Sequence, residues 1–186
     1  MTSFHFRARC REAFRFLEET FGFQGEAHED QLVRYRKGGV LVDVRFDLER
    51  SYELETEFSL ADQLEPAFSL AEVLLLHEGA MPHAVQVTSD AALRRCLDTM
   101  ARQVREHAIS LLTGDPAEFA RLSEQRRRVF KQKQDLQQRE DAVRAAQSAW
   151  RDKDYSTVVR LLEPVEARLT PSETNILHLA RKRAIK

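Results

Sequence analysis

The chain has 186 residues, of which 42% are apolar and 32% are charged, and its formal net charge is −1. This balance is typical of one ordinary globular domain, or of a small domain with a helical extension, and it excludes a fibrous or wholly disordered chain. The longest apolar run, residues 73–76, is far shorter than the roughly 18 residues that a membrane span needs, and residues 1–10 lack the apolar core of a secretory signal. We therefore expect a cytoplasmic protein without a membrane partner.

The first predicted element is an amphipathic helix with Ser3 as its N-cap and Gly22 as its stop. Its apolar residues recur at spacings of three and four, which is the period of a helix with one buried face. The stripe consists of Phe6, Cys10, Ala13, Phe14, Leu17 and Phe21. Three further phenylalanines in this segment lie off the stripe, which favours a second covered side.

After Gly25 the apolar period changes to 2, which predicts strands. Residues 32–36 are a short strand, residues 37–39 a hairpin turn, and residues 40–48 and 52–60 two alternating strands. This meander of three antiparallel strands is expected to bury one face. Its outward positions carry Asp43, Asp47, Glu53, Glu55 and Glu57. Five like charges repel one another, so the face is either well solvated or a landing surface for a basic partner.

Two helices are predicted to follow the meander. Ser69 and Glu72 fit a capping box at the start of a short, very apolar helix that Gly79 ends. Ser89 or Asp90 caps a longer helix that runs through residue 112. The sequence Thr-Gly-Asp-Pro at residues 113–116 then supplies a C-terminal glycine, a new N-cap and a proline at the first helical position.

The helix that begins at Pro116 is predicted to reach about Arg151. Five apolar residues fall seven apart along it: Leu122, Val129, Leu136, Val143 and Trp150. The second apolar position of a coiled coil is polar here, so this stripe is half a heptad seam. Residues 125–140 are nearly all polar and are expected to form a solvated bridge.

A repeat-like signal lies in the last part of the chain. At an offset of 34 residues, five apolar positions between 142 and 150 match five apolar positions between 176 and 184, and Asp154-Tyr155 and Pro171 start helices. Thirty-four is the tetratricopeptide period, and residues of about 142–185 resemble one such repeat and the first helix of a second. They depart from that family because Val158 and Leu162 stand where alanine is usual and the glycine of the first helix is missing. A generic helical hairpin is the alternative.

The charges are divided unevenly along the chain. Residues 1–80 hold 9 Lys and Arg against 16 Asp and Glu, a net of −7, and residues 81–186 hold 20 against 14, a net of +6. We therefore expect an α+β fold made of an acidic module, residues 1–80, and a basic helical region, residues 81–186. Opposite charges indicate that the halves dock on each other or that one of them meets a charged partner.

The arrangement of helix, meander, helix and acidic face resembles the small α+β proteins that bacteria use as immunity proteins or secretion chaperones. The resemblance covers residues 1 to about 80 and implies a non-enzymatic, protein-binding role. We predict that Asp43, Asp47, Glu53, Glu55 and Glu57 capture a basic partner protein. The helices around Trp150 and Tyr155 would present a groove or a homodimer surface.

Other functional classes have weaker support in the sequence. No nucleophile motif and no Gly-rich phosphate loop is present, so neither catalysis nor a cofactor is expected. His77-Glu78 and His83 do not have the H-E-x-x-H spacing of a metal site, and Cys10 and Cys96 are expected to be buried, reduced thiols. The alternative function is a nucleic-acid-associated regulator that uses Arg126, Arg127, Arg128, Lys131 and Lys133, although acidic neighbours favour a solvated helix there.

Overall fold

The computed structural model describes residues 5–29, 31–48, 51–62, 66–79 and 86–185. These residues form an antiparallel sheet and a set of helices, so the α+β class is confirmed. Within the described ranges, no helix combines the length and the apolar character that a membrane span requires. The chain divides into two compact units, one that ends at Gln125 and one that begins at Arg126.

The sheet contains five strands, each antiparallel to the next in the sequence. They are β1 (Gln24–Glu29), β2 (Leu32–Lys37), β3 (Val40–Phe46), β4 (Leu54–Leu60) and β5 (Phe68–Ser69). The predicted three-stranded meander corresponds to β2, β3 and β4. The two additional strands lie at the edges, where β1 is polar and β5 has only two residues. Neither strand has a strong period-2 pattern of its own. Each is stabilised by pairing with a neighbouring strand rather than by local propensity.

The first unit contains five helices and the start of a sixth. They are α1 (Phe6–Ala13), α2 (Arg15–Glu19), α3 (Leu70–Glu78), α4 (Asp90–His107), α5 (Ile109–Leu112) and α6 (Pro116–Arg151). The first predicted helix is interrupted at Phe14, and the predicted helix through residue 112 is interrupted at Ala108. The predicted N-cap Ser3 and the residue His83 lie outside the described ranges.

The core of the first unit lies between one face of the sheet and the helices. Fully buried side chains of this face include Val33, Tyr35, Val42, Val44, Phe46 and Phe58. Helix α1 and the residue after it, Phe14, pack on the sheet through aromatic contacts: the ring centroids of Phe6 and Phe46 are 5.7 Å apart and those of Phe14 and Tyr35 are 6.3 Å apart. Phe16 is buried as well, so the helical segment is covered on a second side, as the surplus of phenylalanines indicates.

The predicted caps of α3 and α4 are present in the structure. Ser69 and Glu72 form a complete capping box at α3, and Gly79 ends that helix in the left-handed conformation, with a φ of 72°. Ser89 rather than Asp90 caps α4, because its Oγ accepts a hydrogen bond from the backbone N–H of Ala92 at 3.2 Å. These caps satisfy backbone groups that the first and last turns leave without helical partners.

The second unit contains the remainder of α6, α7 (Tyr155–Leu162), a 3-10 helix (Glu163–Arg168) and α8 (Pro171–Ala184). Its buried core is formed by Ala146, Ala149, Val158, Leu162, Leu177 and Ala180. Asp154 caps α7, and Thr170 with Glu173 forms a capping box at α8. The two predicted helix starts at residues 155 and 171 are therefore confirmed.

The boundary between the two compact units, at residues 125 and 126, lies further along the chain than the predicted boundary near residue 80. Helices α4 and α5 and the first turns of α6 belong to the first unit because Leu97, Leu111, Phe119 and Leu122 are part of its core. With this division the first unit has 14 Lys and Arg against 22 Asp and Glu, a net of −8, and the second has 15 against 8, a net of +7. The charge asymmetry is thus larger between the compact units than between the predicted modules.

Candidate functional site

The sheet face opposite the core carries charges of both signs. A row of paired residues crosses four strands, from Glu26 through Arg34 and Asp43 to Glu57. Arg34 donates two hydrogen bonds to the Asp43 carboxylate, from Nε to Oδ1 at 2.7 Å and from Nη2 to Oδ2 at 2.6 Å. Arg45 Nη2 lies 3.6 Å from the same Oδ2, and Asp43 is only 7% exposed. The Asp43 carboxylate is therefore paired within the sheet rather than presented to a partner.

Three arginines share this face with the predicted acidic residues: Arg34, Arg36 and Arg45. Arg45 also contacts the Glu57 carboxylate, with Nε 3.2 Å from Oε2. The arginines occupy alternate strand positions, as the carboxylates do. The alternation that predicts outward carboxylates therefore also predicts outward arginines. The face predicted to be acidic therefore carries charges of both signs.

The acidic residues at the end of the face have different surroundings. Asp47 accepts hydrogen bonds from the backbone N–H and the hydroxyl of Ser51, at 3.3 and 3.1 Å, and so holds the turn after β3. Glu53 and Glu55 are exposed. Partial burial raises the pKa of Glu55 above its ordinary value, the Glu57 carboxylate raises it further, and Arg45 opposes both effects. Glu53 and Glu55 are thus the predicted carboxylates that the fold leaves at the surface.

The helical unit contains an apolar groove with a volume of about 260 Å³. Its apolar wall consists of Val143, Ala146, Trp150, Leu162 and Ile176. A second recess of about 310 Å³ is lined by the more polar residues Arg139, Glu140 and Arg144. Both recesses are also lined by Val143, Gln147 and Glu173, so they adjoin along α6 and α8.

An ion pair fixes the edge of the groove. Arg139 Nη2 lies 2.7 Å from each oxygen of the Glu173 carboxylate, and both side chains are largely buried. The hydrogen bond from Arg139 is the largest of several effects that hold the pKa of Glu173 below its ordinary value. Glu173 also accepts the backbone N–H of Thr170 at 2.7 Å as part of the α8 capping box. One carboxylate therefore both caps α8 and ties it to α6.

The two aromatic residues predicted for a groove are in contact, but only one of them lines it. The ring centroids of Trp150 and Tyr155 are 5.3 Å apart in an edge-on arrangement. The Arg183 guanidinium lies 5.1 Å from the Trp150 ring and 5.2 Å from the Tyr155 ring, and it donates a hydrogen bond to the Tyr155 hydroxyl at 3.1 Å. Trp150 forms part of the groove wall, and Tyr155 supports it from outside the groove.

The apolar stripe of α6 extends beyond the groove. Val143 and Trp150 line the groove, Leu136 is 56% exposed, and Val129 is half-buried. At about 100° per residue, positions seven apart stay on nearly the same side of a helix. The predicted nucleic-acid residues on α6, by the same geometry, spread around much of the helix: Arg126, Arg127, Arg128, Lys131 and Lys133.

A polar cluster that local sequence patterns did not reveal joins three helices of the first unit. His77 Nε2 of α3 lies 2.8 Å from Glu118 Oε1 of α6, and Glu118 is buried. Arg121 donates to the other oxygen of Glu118 at 2.9 Å, and the His77 and His107 rings lie 6.0 Å apart. His77 and Glu118 are 41 positions apart in the sequence, so no local pattern predicts this contact. In the described part of the chain, no group of three or more His, Cys, Asp or Glu is placed to hold a metal ion.

Comparisons of the chain with family models, with curated proteins and with solved structures found no match. The resemblance of the N-terminal part to immunity and chaperone-type proteins therefore stays a prediction. The same holds for the resemblance of the C-terminal helices to a tetratricopeptide repeat. The function has to be argued from the surfaces of the two units.

Proposed function

We propose that the protein is a protein-binding module whose binding surface is the apolar groove of the helical unit. The observation that carries the proposal is the continuation of the groove, with Trp150 in its wall, into an apolar stripe that includes the exposed Leu136. Aromatic side chains in a concave, apolar setting are enriched among the residues that dominate binding energies.

The size of the groove favours a protein partner. Its volume of about 260 Å³ lies below the range of roughly 300–1,000 Å³ that is usual for pockets that enclose drug-sized ligands. Such a space accommodates the side chains of a docked segment, while the exposed stripe beside it extends the contact. An amphipathic helix laid into a groove between helices is a common mode of peptide recognition.

A photo-crosslinking experiment tests this proposal. A photoreactive phenylalanine analogue at Leu136, on the stripe, is expected to give a discrete covalent adduct with a partner protein in extracts of the source organism. The matched control places the same analogue at Ile109 of the first unit, which is 50% exposed against 56% for Leu136. Equal adducts at both positions, or none at Leu136, would contradict the proposal.

The acidic sheet face has less support as a capture surface for a basic partner. Asp43 and Glu57 are paired with arginines of the same face, so of the five predicted carboxylates Glu53 and Glu55 are the exposed ones. Capture through these two residues stays a proposal, and replacing Glu53 and Glu55 with lysine is its direct test. If the variant keeps its fold and recovers the partner as well as the wild type does, the sheet face is not the binding surface.

The net charge of +7 on the second unit favours nucleic-acid association as the second candidate function. Binding through several phosphates weakens steeply with salt, because each neutralised phosphate releases counterions. Electrophoretic mobility shifts measured at two salt concentrations separate this candidate from protein binding. The absence of a shift at low salt would exclude it.

A further inference from the structure

The chemistry of the partner can be specified further, on the basis of the proposed function. We infer that the groove and stripe of the helical unit accept an acidic amphipathic helix of another protein. The length of the stripe, its exposure and the charges that flank it favour such a partner.

The stripe is long enough for a helix of several turns. Val129 and Trp150 are 21 positions apart on α6, which corresponds to roughly 32 Å at 1.5 Å per residue. Between them Leu136 and Val143 lie on nearly the same side, so the apolar line extends from the exposed part of α6 into the groove. An extended peptide of a few residues would cover only part of this length.

The stripe also supplies only half of a helix–helix seam. In a two-helix seam, apolar residues recur at two positions of each heptad, and knobs of one helix fill holes of the other. The second position on α6 is polar at Gln125, Gln132 and Arg139 and is apolar only at Ala146, in the groove wall. Because α6 lacks most of these apolar side chains, a partner helix must supply the ones that fill the groove.

A basic row runs beside the stripe. Lys133, Arg144 and Arg151 lie within about 60° of the direction of Val129 around the helix. All three are exposed, Arg151 lines the groove, and Arg144 lines the adjoining recess. Glu140 is the one acidic residue in this row, so the flank is predominantly basic. The pair of Arg144 with Asp141, at 3.8 Å on the surface, neutralises little of that charge.

The charges argue for an acidic helix rather than a second copy of this chain. Two α6 stripes packed antiparallel would bring their two basic rows side by side, and like charges across an interface oppose association. A partner helix with Glu or Asp beside its apolar residues would instead place negative charges along the basic row of α6.

The single tryptophan of the chain gives a direct readout, because Trp150 lines the groove. The probe is a synthetic helix of about 22 residues without tryptophan, so that it spans the stripe at 1.5 Å per residue. It carries leucine at the two seam positions and glutamate at the flanks. A second probe has lysine in place of every glutamate. We expect the glutamate probe to shift the Trp150 emission of the full-length protein and to bind at least about 10-fold more tightly than the lysine probe, or about 1.4 kcal/mol.

A charge-reversal variant tests whether the basic row sets this preference. In the double variant Arg144→Glu and Arg151→Glu, the lysine probe is expected to become the tighter ligand. The matched control is Lys131→Glu with Lys182→Glu, which makes the same charge change at exposed positions that do not line the groove. That control should keep the preference for the glutamate probe, since nonspecific attraction would respond equally to both double variants.

Several outcomes overturn the inference. If the two probes bind equally, or if the preference does not reverse in the Arg144 and Arg151 variant, the basic row does not select the partner. Self-association of the protein that Leu136→Glu abolishes assigns the stripe to a second copy. If neither probe binds but the crosslink at Leu136 persists, this inference fails and the proposed function stands. If the crosslink is absent as well, both fail.

Discussion

The paired charges on the sheet make a quantitative prediction about Asp43. In Asp43→Asn, Arg34 loses the charge of the carboxylate that accepts two of its hydrogen bonds, at 2.7 and 2.6 Å. Breaking a fully buried ion pair costs roughly 3–5 kcal/mol, because one charge is left without compensation. The Arg34 side chain is 26% exposed, so water recovers part of that loss. We expect a loss of about 2 kcal/mol in the free energy of unfolding, or roughly 8 °C in the melting temperature of a unit of this size.

Urea denaturation followed by far-ultraviolet circular dichroism measures this loss as a lower transition midpoint at an unchanged slope. The matched control is Glu57→Gln on the same face, where the partner Arg45 is 52% exposed. We expect that variant to cost less than about 1 kcal/mol, which is usual for exposed ion pairs. A double-mutant cycle of Asp43→Asn with Arg34→Met should give a coupling energy of about 1–2 kcal/mol. Equal losses in Asp43→Asn and Glu57→Gln would refute the assignment of the central role to the Arg34–Asp43 pair.

Three further predictions concern titratable groups. The raised pKa of Glu55 means that the folded state holds its proton more tightly than the unfolded state. Glu55→Gln should therefore stabilise the protein at pH 7, and this gain should be lost as the pH falls through the raised pKa to the ordinary carboxyl pKa; pH-dependent melting curves check this. The lowered pKa of Glu173 has the opposite sign, so Glu173 stabilises the folded state above its ordinary pKa, and this stabilisation is lost as the pH falls through the lowered pKa. Arg139→Gln should weaken this pH dependence of unfolding, followed by Trp150 emission, because the hydrogen bond from Arg139 is the largest cause of the lowered pKa. Burial raises the pKa of Cys10 to about 12, so iodoacetamide at pH 8 should leave Cys10 unmodified in the native protein, whereas modification there at the rate of a free thiol, detected by mass spectrometry, would contradict its burial.

Local patterns predicted the elements that local chemistry determines. The capping box at Ser69, the Asp154 cap and the start of α8 at Pro171 each depend on a few neighbouring residues, and the structure confirms all three. Strand β1 could not be read in the same way, because its polar sequence becomes a strand only through pairing with β2. The break at the fully buried Ala108, between α4 and α5, likewise has no glycine or proline signal in the sequence.

Long-range pairing explains most of what the sequence did not reveal about the candidate surfaces. The outward positions of Asp43 and Glu57 were predictable from alternation, but their neutralisation depends on which residues of adjacent strands lie opposite them. Register is set by turn geometry and by the buried face together, so opposite partners cannot be identified from one strand alone. In the same way, the approach of α8 to α6 turns Val143 and Trp150 from a half seam into the wall of a groove.

The division of the chain at Gln125 and Arg126 changes the meaning of its charge. Although the acidic unit has a net charge of −8, arginines on its sheet face pair with the carboxylates there, as at Asp43, so that face carries charges of both signs. In the helical unit, Arg139 is paired with Glu173 at the groove edge. Arg144 and Arg151, in contrast, are exposed beside apolar surface. Apolar contacts combined with unneutralised charge favour selective binding, since the former stabilise a complex and the latter discriminate among partners. On these physical grounds the search for a partner should begin with the helical unit and with acidic helices.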